Sequence, residues 1–281
     1  MRNIVLHITT LLFLAYINSY GQVEKYTIGE VAFSTPDYDE YSPAFCKDGL
    51  LFCSDRPFNT LITTRNPDHS HMINLFYTEK KDSLQWKEIR IYGRALASSL
   101  NDGPASLSES EEMIYYSSNN SDNSSHRKGI SSEKMGIYSA KSVNNKWGKI
   151  TSFEHNDPNY SFFSPSLSSD GRKLFFASDM PGGFGGMDVY YCEMKDTLWS
   201  KPVNLGNLIN TDANEVFPYM HSSGKLFFSS DGHEGLGGKD IFYVDLNSGN
   251  SLPPLALEAP INSSFDDFGF IADPELETGY F

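Results

Sequence analysis

The chain has 281 residues, 39% of them hydrophobic and 14% aromatic, with a net charge of −14. That is apolar material for a large core. The negative charge excludes a nucleic-acid backbone as partner, since phosphate binding draws on Lys and Arg, and it speaks against anionic lipid.

The first segment stands apart. Arg2 gives a short positive start, Ile4 to Ile17 is mostly apolar, and Ser19 and Gly21 are small residues suited to a cleavage site. Residues 1–21 read as a secretory signal whose apolar run is too short to span a bilayer comfortably. No cysteine follows that run, which speaks against lipid attachment there. Residues 22–37 are a lead-in.

From Glu40 the chain repeats itself. "EYSPAFCKDGLLFCSD" (Glu40–Asp55), "GPASLSESEEMIYYSSN" (Gly103–Asn119), "FFSPSLSSDGRKLFFASD" (Phe162–Asp179) and "VFPYMHSSGKLFFSSD" (Val216–Asp231) are copies of one strand-turn-strand unit. Each is followed by a loop and a further strand: "NLFYTE" at Asn74, "GIYSAK" at Gly136, "DVYYCE" at Asp188 and "DIFYVD" at Asp240. The chain's three tryptophans, Trp86, Trp147 and Trp199, come next in the first three copies. An apolar residue with Asn closes several units: Leu100-Asn101, Ile209-Asn210 and Ile261-Asn262. The repeats start near residues 40, 102, 161, 214 and 265. The fifth aligns Phe268 with Phe217 and Tyr280-Phe281 with Phe227-Phe228. The chain is therefore expected to stop one strand into a fifth unit, as a piece of a longer protein of about six blades or more.

Short strands rich in Phe, Tyr, Val and Ile, bounded by Gly, Asn, Asp and Pro, with no useful helical period, predict an all-β fold. About four antiparallel strands per repeat of this length predict a β-propeller over residues 38–281, with four complete blades and the start of a fifth.

Two loops invite a chemical reading: "MPGGFGGMD" (Met180–Asp188) and "HEGLGGKD" (His233–Asp240). A phosphate cradle needs amides at a helix start and usually a lysine. Here a strand follows, headed by an Asp that would repel phosphate. A turn needing positive φ is the structural reading. In it, Asp179 and Asp231 accept from loop amides as Asx turns do, and Asp188 and Asp240 tie the other end. Calcium is the competing reading: Asp179, Asp188, Asp231 and Asp240 are hard oxygen donors, two per blade, with no Asp-x-Asp-x-Asp cage. Beyond this possible calcium, no cofactor is expected.

The other chemistry-bearing residues read as structural. His69 and His71 in "NPDHSHM" would share a strand face but have no third ligand nearby. Cys46, Cys53 and Cys192 are odd in number and sit in core slots, so buried free thiols are expected. No Gly-x-Ser-x-Gly elbow occurs. "SSDG" at Ser168–Gly171 resembles the Asp-box turn of sialidase propellers, but Leu174 replaces the aromatic and Arg is sparse. Tyr115, Tyr190 or Tyr191 are candidates for a channel or rim, where interfaces favour Tyr.

The pattern Ser-Pro-x-x-Ser-x-Asp-Gly-x-x-Leu-x-Phe-x-Ser-Asp at Ser164–Asp179, with the Gly-Gly-x-Gly-Gly-x-Asp-Val-Tyr that follows, resembles the WD-like repeat of TolB-type propellers. "PGGFGGMDVYY" is most similar to the propeller of OmpA-family outer-membrane proteins from Bacteroidetes, some of which serve type IX secretion machinery. The resemblance implies a non-enzymatic cell-envelope scaffold in the periplasm or at the outer membrane. It would dock to envelope or secretion-machinery proteins, and no catalytic residue is implied. The family's peptidoglycan-binding domain has no counterpart in these residues, so peptidoglycan contact would run only through a domain absent here. The alternatives are the propeller part of an exported hydrolase or peptidase, and a calcium- or carbohydrate-binding lectin-like propeller.

Overall fold

A computed structural model describes residues 26–47, 49–57, 71–82, 85–98, 100–120, 131–248 and 252–281. The expected signal segment and His69 lie outside them.

Strands fall where the repeat places them. The first sheet runs in the order β1 (Glu40–Cys46), β2 (Gly49–Ser54), β3 (Asn74–Glu79), β4 (Arg90–Ile91). The second contains β5 (Asp102–Leu107), β6 (Met113–Asn120), β7 (Ser131–Val143), β8 (Lys146–Trp147) and β9 (Thr151–Ser152). The third contains β10 (Phe162–Leu167), β11 (Lys173–Ser178), β12 (Asp188–Lys195), β13 (Leu198–Trp199) and β14 (Val203–Asn204). The fourth is β15 (Glu215–Met220), β16 (Lys225–Ser230), β17 (Asp240–Asp245) and β18 (Leu255–Ala256). A fifth sheet has two strands, β19 (Ile271–Ala272) and β20 (Gly279–Tyr280). All pairings are antiparallel, so the all-β, four-bladed propeller is what the chain forms.

The second strands of blades one, three and four are mostly apolar because both of their faces are covered. β2 is buried at every position, and β11 and β16 at all but the first. Such continuous burial is expected of a strand packed on both sides. The innermost strands share another device. Ser42, Ser164, Phe217 and Gly269 all have positive φ, and the register of β1, β10 and β15 against their partners shifts there. These are β-bulges, which bend a strand and increase its twist.

Five apolar clusters fill the five junctions of the ring. Leu51, Cys53 and Leu75 meet Ile114 and Tyr116; Tyr115 and Ile137 meet Phe162, Leu174 and Phe176; Phe175 and Val189 meet Leu226 and Phe228. The two-stranded sheet then closes the circle. Ile271 and Tyr280 pack on Leu50, Phe52 and Trp86 of blade one, while Phe270 packs on Phe227 of blade four. The ring in this structure is thus four full blades and a two-strand wedge.

The tryptophans act between blades. Trp147 lies against Tyr92 of blade one, with ring centroids 5.9 Å apart, and a Cβ on Gly93 would sit 2.5 Å from its ring. Trp199 meets Tyr115 of blade two edge-on at 5.9 Å, and Trp86 meets Tyr280 of the wedge at 6.3 Å. Each Trp of blade n therefore covers the blade before it.

Candidate functional site

The aspartates flagged by the sequence divide into two structural jobs. Asp179 does not close its own glycine loop. Its Oδ1 accepts from the Ser161 amide, 2.6 Å away, at the start of the same blade. The same slot does the same thing in every full blade: Asp55 accepts from the Asp39 amide, Asn119 from Asn101, and Asp231 from Asn214. The expected Asx turn is therefore corrected to a long-range cap that ties the end of strand two to the start of strand one. A neutral oxygen suffices for it, which is why Asn119 serves. Asp179 also pairs with Lys134, and Asp231 with Lys239. Burial raises the Asp231 pKa, but the Asn214 amide and Lys239 outweigh it and hold the carboxyl below its usual value.

Asp188 and Asp240 do tie the loops. Asp188 Oδ2 accepts from the Phe184 amide at 2.6 Å and Oδ1 from Gly185 at 3.1 Å. Asp240 Oδ2 accepts from Leu236 at 2.9 Å and Gly237 at 3.0 Å. Among the described residues no three His, Cys, Asp or Glu side chains converge as a metal cluster.

One glycine has the expected reason, and two others have a different one. Of those in the two loops, Gly182 has positive φ (98°). Gly185 and Gly237 are needed for close approach. A Cβ on Gly185 would lie 2.4 Å from the Ala213 carbonyl oxygen, and one on Gly237 2.1 Å from that of Phe265. The Gly186 amide donates to Ala213 and that of Gly238 to Phe265. Each loop is thus clamped to the start of the next blade, a role invisible until the ring is built.

The repeated Asn is a second inter-strand clamp. Asn210 accepts from the Val189 amide at 2.7 Å and donates to its carbonyl at 3.0 Å. Asn262 does this to Ile241. Asn156 does it to Ile137. Sequence reasoning missed Asn156 because His155 precedes it where the other copies carry Leu or Ile.

The thiols are inert. Cys46, Cys53 and Cys192 are free and buried, as expected. Burial raises all three thiols, Cys46 and Cys192 to about 12. A thiolate nucleophile needs the opposite. Asp102 is the one carboxylic acid among the described residues that burial lifts strongly, to about 6, against hydrogen bonds from Ser98 and Ser118 that lower it. It sits 1% exposed between strands of blade two, so it has no reach to a substrate.

Among the described residues, one concavity borders the inner strands and another the two-stranded sheet. The channel mouth, about 370 Å³, is lined by the inner strands, including Phe45, Phe217, Tyr219 and Phe270. Phe217, in its lining, stacks between Phe163 and Phe268 of the neighbouring inner strands, with ring centroids 5.3 and 5.0 Å away. Tyr115 and Tyr190, expected there, are instead buried between blades, and Tyr191 packs on the junction of blades three and four. The larger concavity, about 960 Å³, is a cleft beside the wedge. Its walls are Leu50 and Phe52 of blade one and Phe227, Tyr243 and Leu257 of blade four, with residues 26–31 along one side and β20 at its base. Sequence reasoning did not find it, because it arises from the short fifth sheet.

Neither a family model nor a curated protein matches the chain. Solved structures with similar folds include a TolB from Acinetobacter baumannii, 16% identical over 72% of this chain and 41% of that one, with a TM-score of 0.43. A putative TolB from Agrobacterium tumefaciens is 16% identical over 80% of this chain and 82% of that one, with a TM-score of 0.45. A puromycin-hydrolysing peptidase from Mycobacterium tuberculosis is 11% identical over 83% of this chain and 34% of that one, with a TM-score of 0.44. The chain spans less than half of the first and third of these proteins. At these identities and TM-scores, no activity or residue role passes to this chain.

Proposed function

We propose that the protein is a non-enzymatic, exported interaction module of the cell envelope, of the OmpA-family propeller type. Its partners would be other envelope or secretion-machinery proteins. One observation carries the reading. The recurrent polar side chains of the repeat are spent on the protein's own backbone, while the cleft beside the two-stranded sheet is walled mainly by aromatic and aliphatic side chains. Such a wall suits a polypeptide partner, since aromatic residues are enriched at interface cores. The net charge of −14 favours partners with basic flanks. Export rests on the apolar segment and small residues within residues 1–21.

The test is cell fractionation with photo-crosslinking. A crosslinking residue is placed at Phe281 beside the cleft or at Phe184 on the exposed glycine loop. The expected result is a chain shortened by residues 1–21, found in the envelope fraction, giving discrete protein adducts. The purified protein is expected to leave chromogenic peptide, ester and glycoside substrates intact. Turnover of any of these, abolished by one substitution in either concavity, overturns the reading in favour of an exported hydrolase.

A further inference from the structure

Blades one, two and three each set a tryptophan against the sheet before them, and blade four has none. Trp86, Trp147 and Trp199 stand four residues before Arg90, Thr151 and Val203, the first residues of their fourth strands. Those residues pair with Tyr77, Ser139 and Tyr191 on the third strand, and Leu255 pairs with Tyr243 in the same way. The residue four before Leu255 is Ser251. No residue has been lost on the way, since fifteen positions separate Asp188 from Val203 and Asp240 from Leu255 alike.

Blade three nonetheless keeps the surface that such a ring would cover. Trp147 lies over Tyr92 and Gly93 of blade one and shares a cluster with Leu96. There the Tyr92 amide donates to Leu75 and the Leu96 amide to Gly93; in blade three the Leu205 amide donates to Val189 and the Ile209 amide to Gly206. Leu205, Gly206 and Ile209 are therefore the counterparts of Tyr92, Gly93 and Leu96, and both glycines have positive φ, 66° and 84°. The difference is what lies above them. A Cβ on Gly93 would strike the Trp147 ring at 2.5 Å, whereas one on Gly206 would meet nothing within 4 Å among the described residues. An open cavity of about 100 Å³ borders Gly206, lined also by Leu205, Leu208, Ile209, Val244 and Leu252. The three residues before Leu252 are Gly249, Asn250 and Ser251, and none carries an apolar side chain.

We propose that the outer junction of blades three and four is a socket for a tryptophan side chain of a partner protein. This rests on the interaction-module reading and gives the partner its anchor residue. The occupant follows from the fold's own usage: the same backbone turn, glycine and aliphatic wall hold an indole at the junction of blades one and two. An apolar cavity of about 150 Å³ lined by aliphatic and aromatic side chains takes a single benzene ring, so a smaller one open to solvent suits a ring that enters from outside. Leu208 and Leu252 are 45% and 62% exposed at its mouth and extend the apolar contact around that ring. Aromatic anchors seated in such pockets carry most of the energy of many interfaces, with Trp foremost among them.

The probe is N-acetyltryptophanamide, titrated into the 281-residue chain with its Leu, Ile and Val methyl groups labelled for NMR. Saturable shifts are expected at Leu205, Leu208, Ile209, Val244 and Leu252, with a roughly millimolar Kd for a single side chain. N-acetylalaninamide should leave these methyls unmoved. Leu252→Asp sets a charge at the mouth and should weaken binding at least about tenfold. Leu252 is exposed, so this variant is expected to fold, which its circular dichroism and urea midpoint verify. In the envelope fraction, a photo-crosslinking residue at Leu208 should give a discrete protein adduct that both Leu252→Asp and saturating N-acetyltryptophanamide abolish. Absent shifts, equal shifts with N-acetylalaninamide, an unaltered affinity in Leu252→Asp, or no adduct of this kind overturns the socket. So does a ring in nuclear Overhauser contact with the Leu208 and Leu252 methyls before the probe is added, because the chain would then fill the socket itself. A dimer that Leu252→Asp dissociates does the same, because a second copy would then be the occupant. If the socket fails while crosslinks from Phe184 persist, the interaction module stands without it. Hydrolytic turnover removes the module itself.

Discussion

Blades three and four carry nearly the same glycine loop and the same buried aspartate, yet the two aspartates are not equally served. Asp188 accepts from Phe184 and Gly185 and also from the Asn204 side chain, which reaches Oδ2 at 2.8 Å. Asp240 accepts through Oδ2, and its buried Oδ1 has no partner among the described residues. The difference lies on the fourth strand. Asn204 pairs across from Tyr190, and its counterpart across from Phe242 is Ala256. The loop sequence repeats, but the group that completes its charge comes from a strand about fifteen residues further on, where the repeat has drifted. A buried acceptor left unmet carries its full desolvation penalty, so two look-alike loops differ in what they contribute.

Removing each aspartate tests this most strongly. Asp188→Ala strips partners from two amides and one side-chain amide and is expected to cost about 4 kcal/mol. Asp240→Ala also loses two amide bonds but relieves an unmet buried oxygen, so about 2 kcal/mol is expected. Urea unfolding of both variants, compared at equal m-values, reads the gap. Equal losses would break the comparison.

Asp102 in blade two separates bond count from burial. Both its oxygens are met, Oδ2 by the Ser98 amide at 2.6 Å and Oδ1 by the Ser118 hydroxyl at 2.8 Å. Burial still raises its pKa to about 6, because neutral donors do not replace full hydration of a charge. The folded state therefore holds this proton more tightly than the unfolded chain, whose ordinary carboxyl titrates near about 3.9. Its contribution to stability is complete below about pH 4 and is lost as pH rises through about 6. Against Asp102→Asn, the unaltered protein should lose up to about 3 kcal/mol between pH 4 and pH 7, read from urea midpoints on a pH series. Parallel profiles for the two proteins would rule out the buried proton.

Asn204→Ala is the next step down. It turns blade three into an imitation of blade four, removing the bond to Asp188 and those that Asn204 accepts from Asn210 and the Gly206 amide, for a loss of about 2 kcal/mol. Because Asp188 is its partner, the loss should shrink in an Asp188→Ala background by the amount of their coupling. Full additivity in that cycle would show that the two side chains do not act together.

Much of this architecture was legible in the residues. The spacing of the Phe-Phe runs and of Trp86, Trp147 and Trp199 gave the blades, because each full blade buries its second strand and three place a Trp on the preceding junction. Buried thiols could be inferred from the core slots they occupy. The partners of Asp179 and Asp231 could not. Their amides lie 18 and 17 residues earlier in the chain, at a distance only the sheet closes. Nor could the clamp function of Gly185 and Gly237, since the carbonyls they approach belong to the next blade. Local rules assigned these residues to local turns, and contacts across strands and blades reassigned them. The cleft was hidden for the same reason: it is the space beside a sheet of two strands, and no residue in its walls is unusual in itself.

The smallest effect is the most direct repair. Ala256→Asn puts into blade four the side chain that blade three already has at that slot. Ala256 is exposed at the edge of its sheet, so the larger side chain displaces no core residue. Its amide can donate to the free Oδ1 of Asp240, and its carbonyl oxygen can accept from Asn262, as Asn204 accepts from Asn210 at 2.9 Å. Asn262 already donates to the Leu257 carbonyl at 2.9 Å, so that second bond is gained only in part. One new bond to a charged acceptor, less the cost of ordering one side chain, leaves a gain of about 1 kcal/mol. A rise in urea midpoint at constant m-value is the expected outcome, and it should vanish in an Asp240→Ala background. If the gain survives there, the added stability comes from the strand edge, and the unmet oxygen of Asp240 is not what separates the two blades.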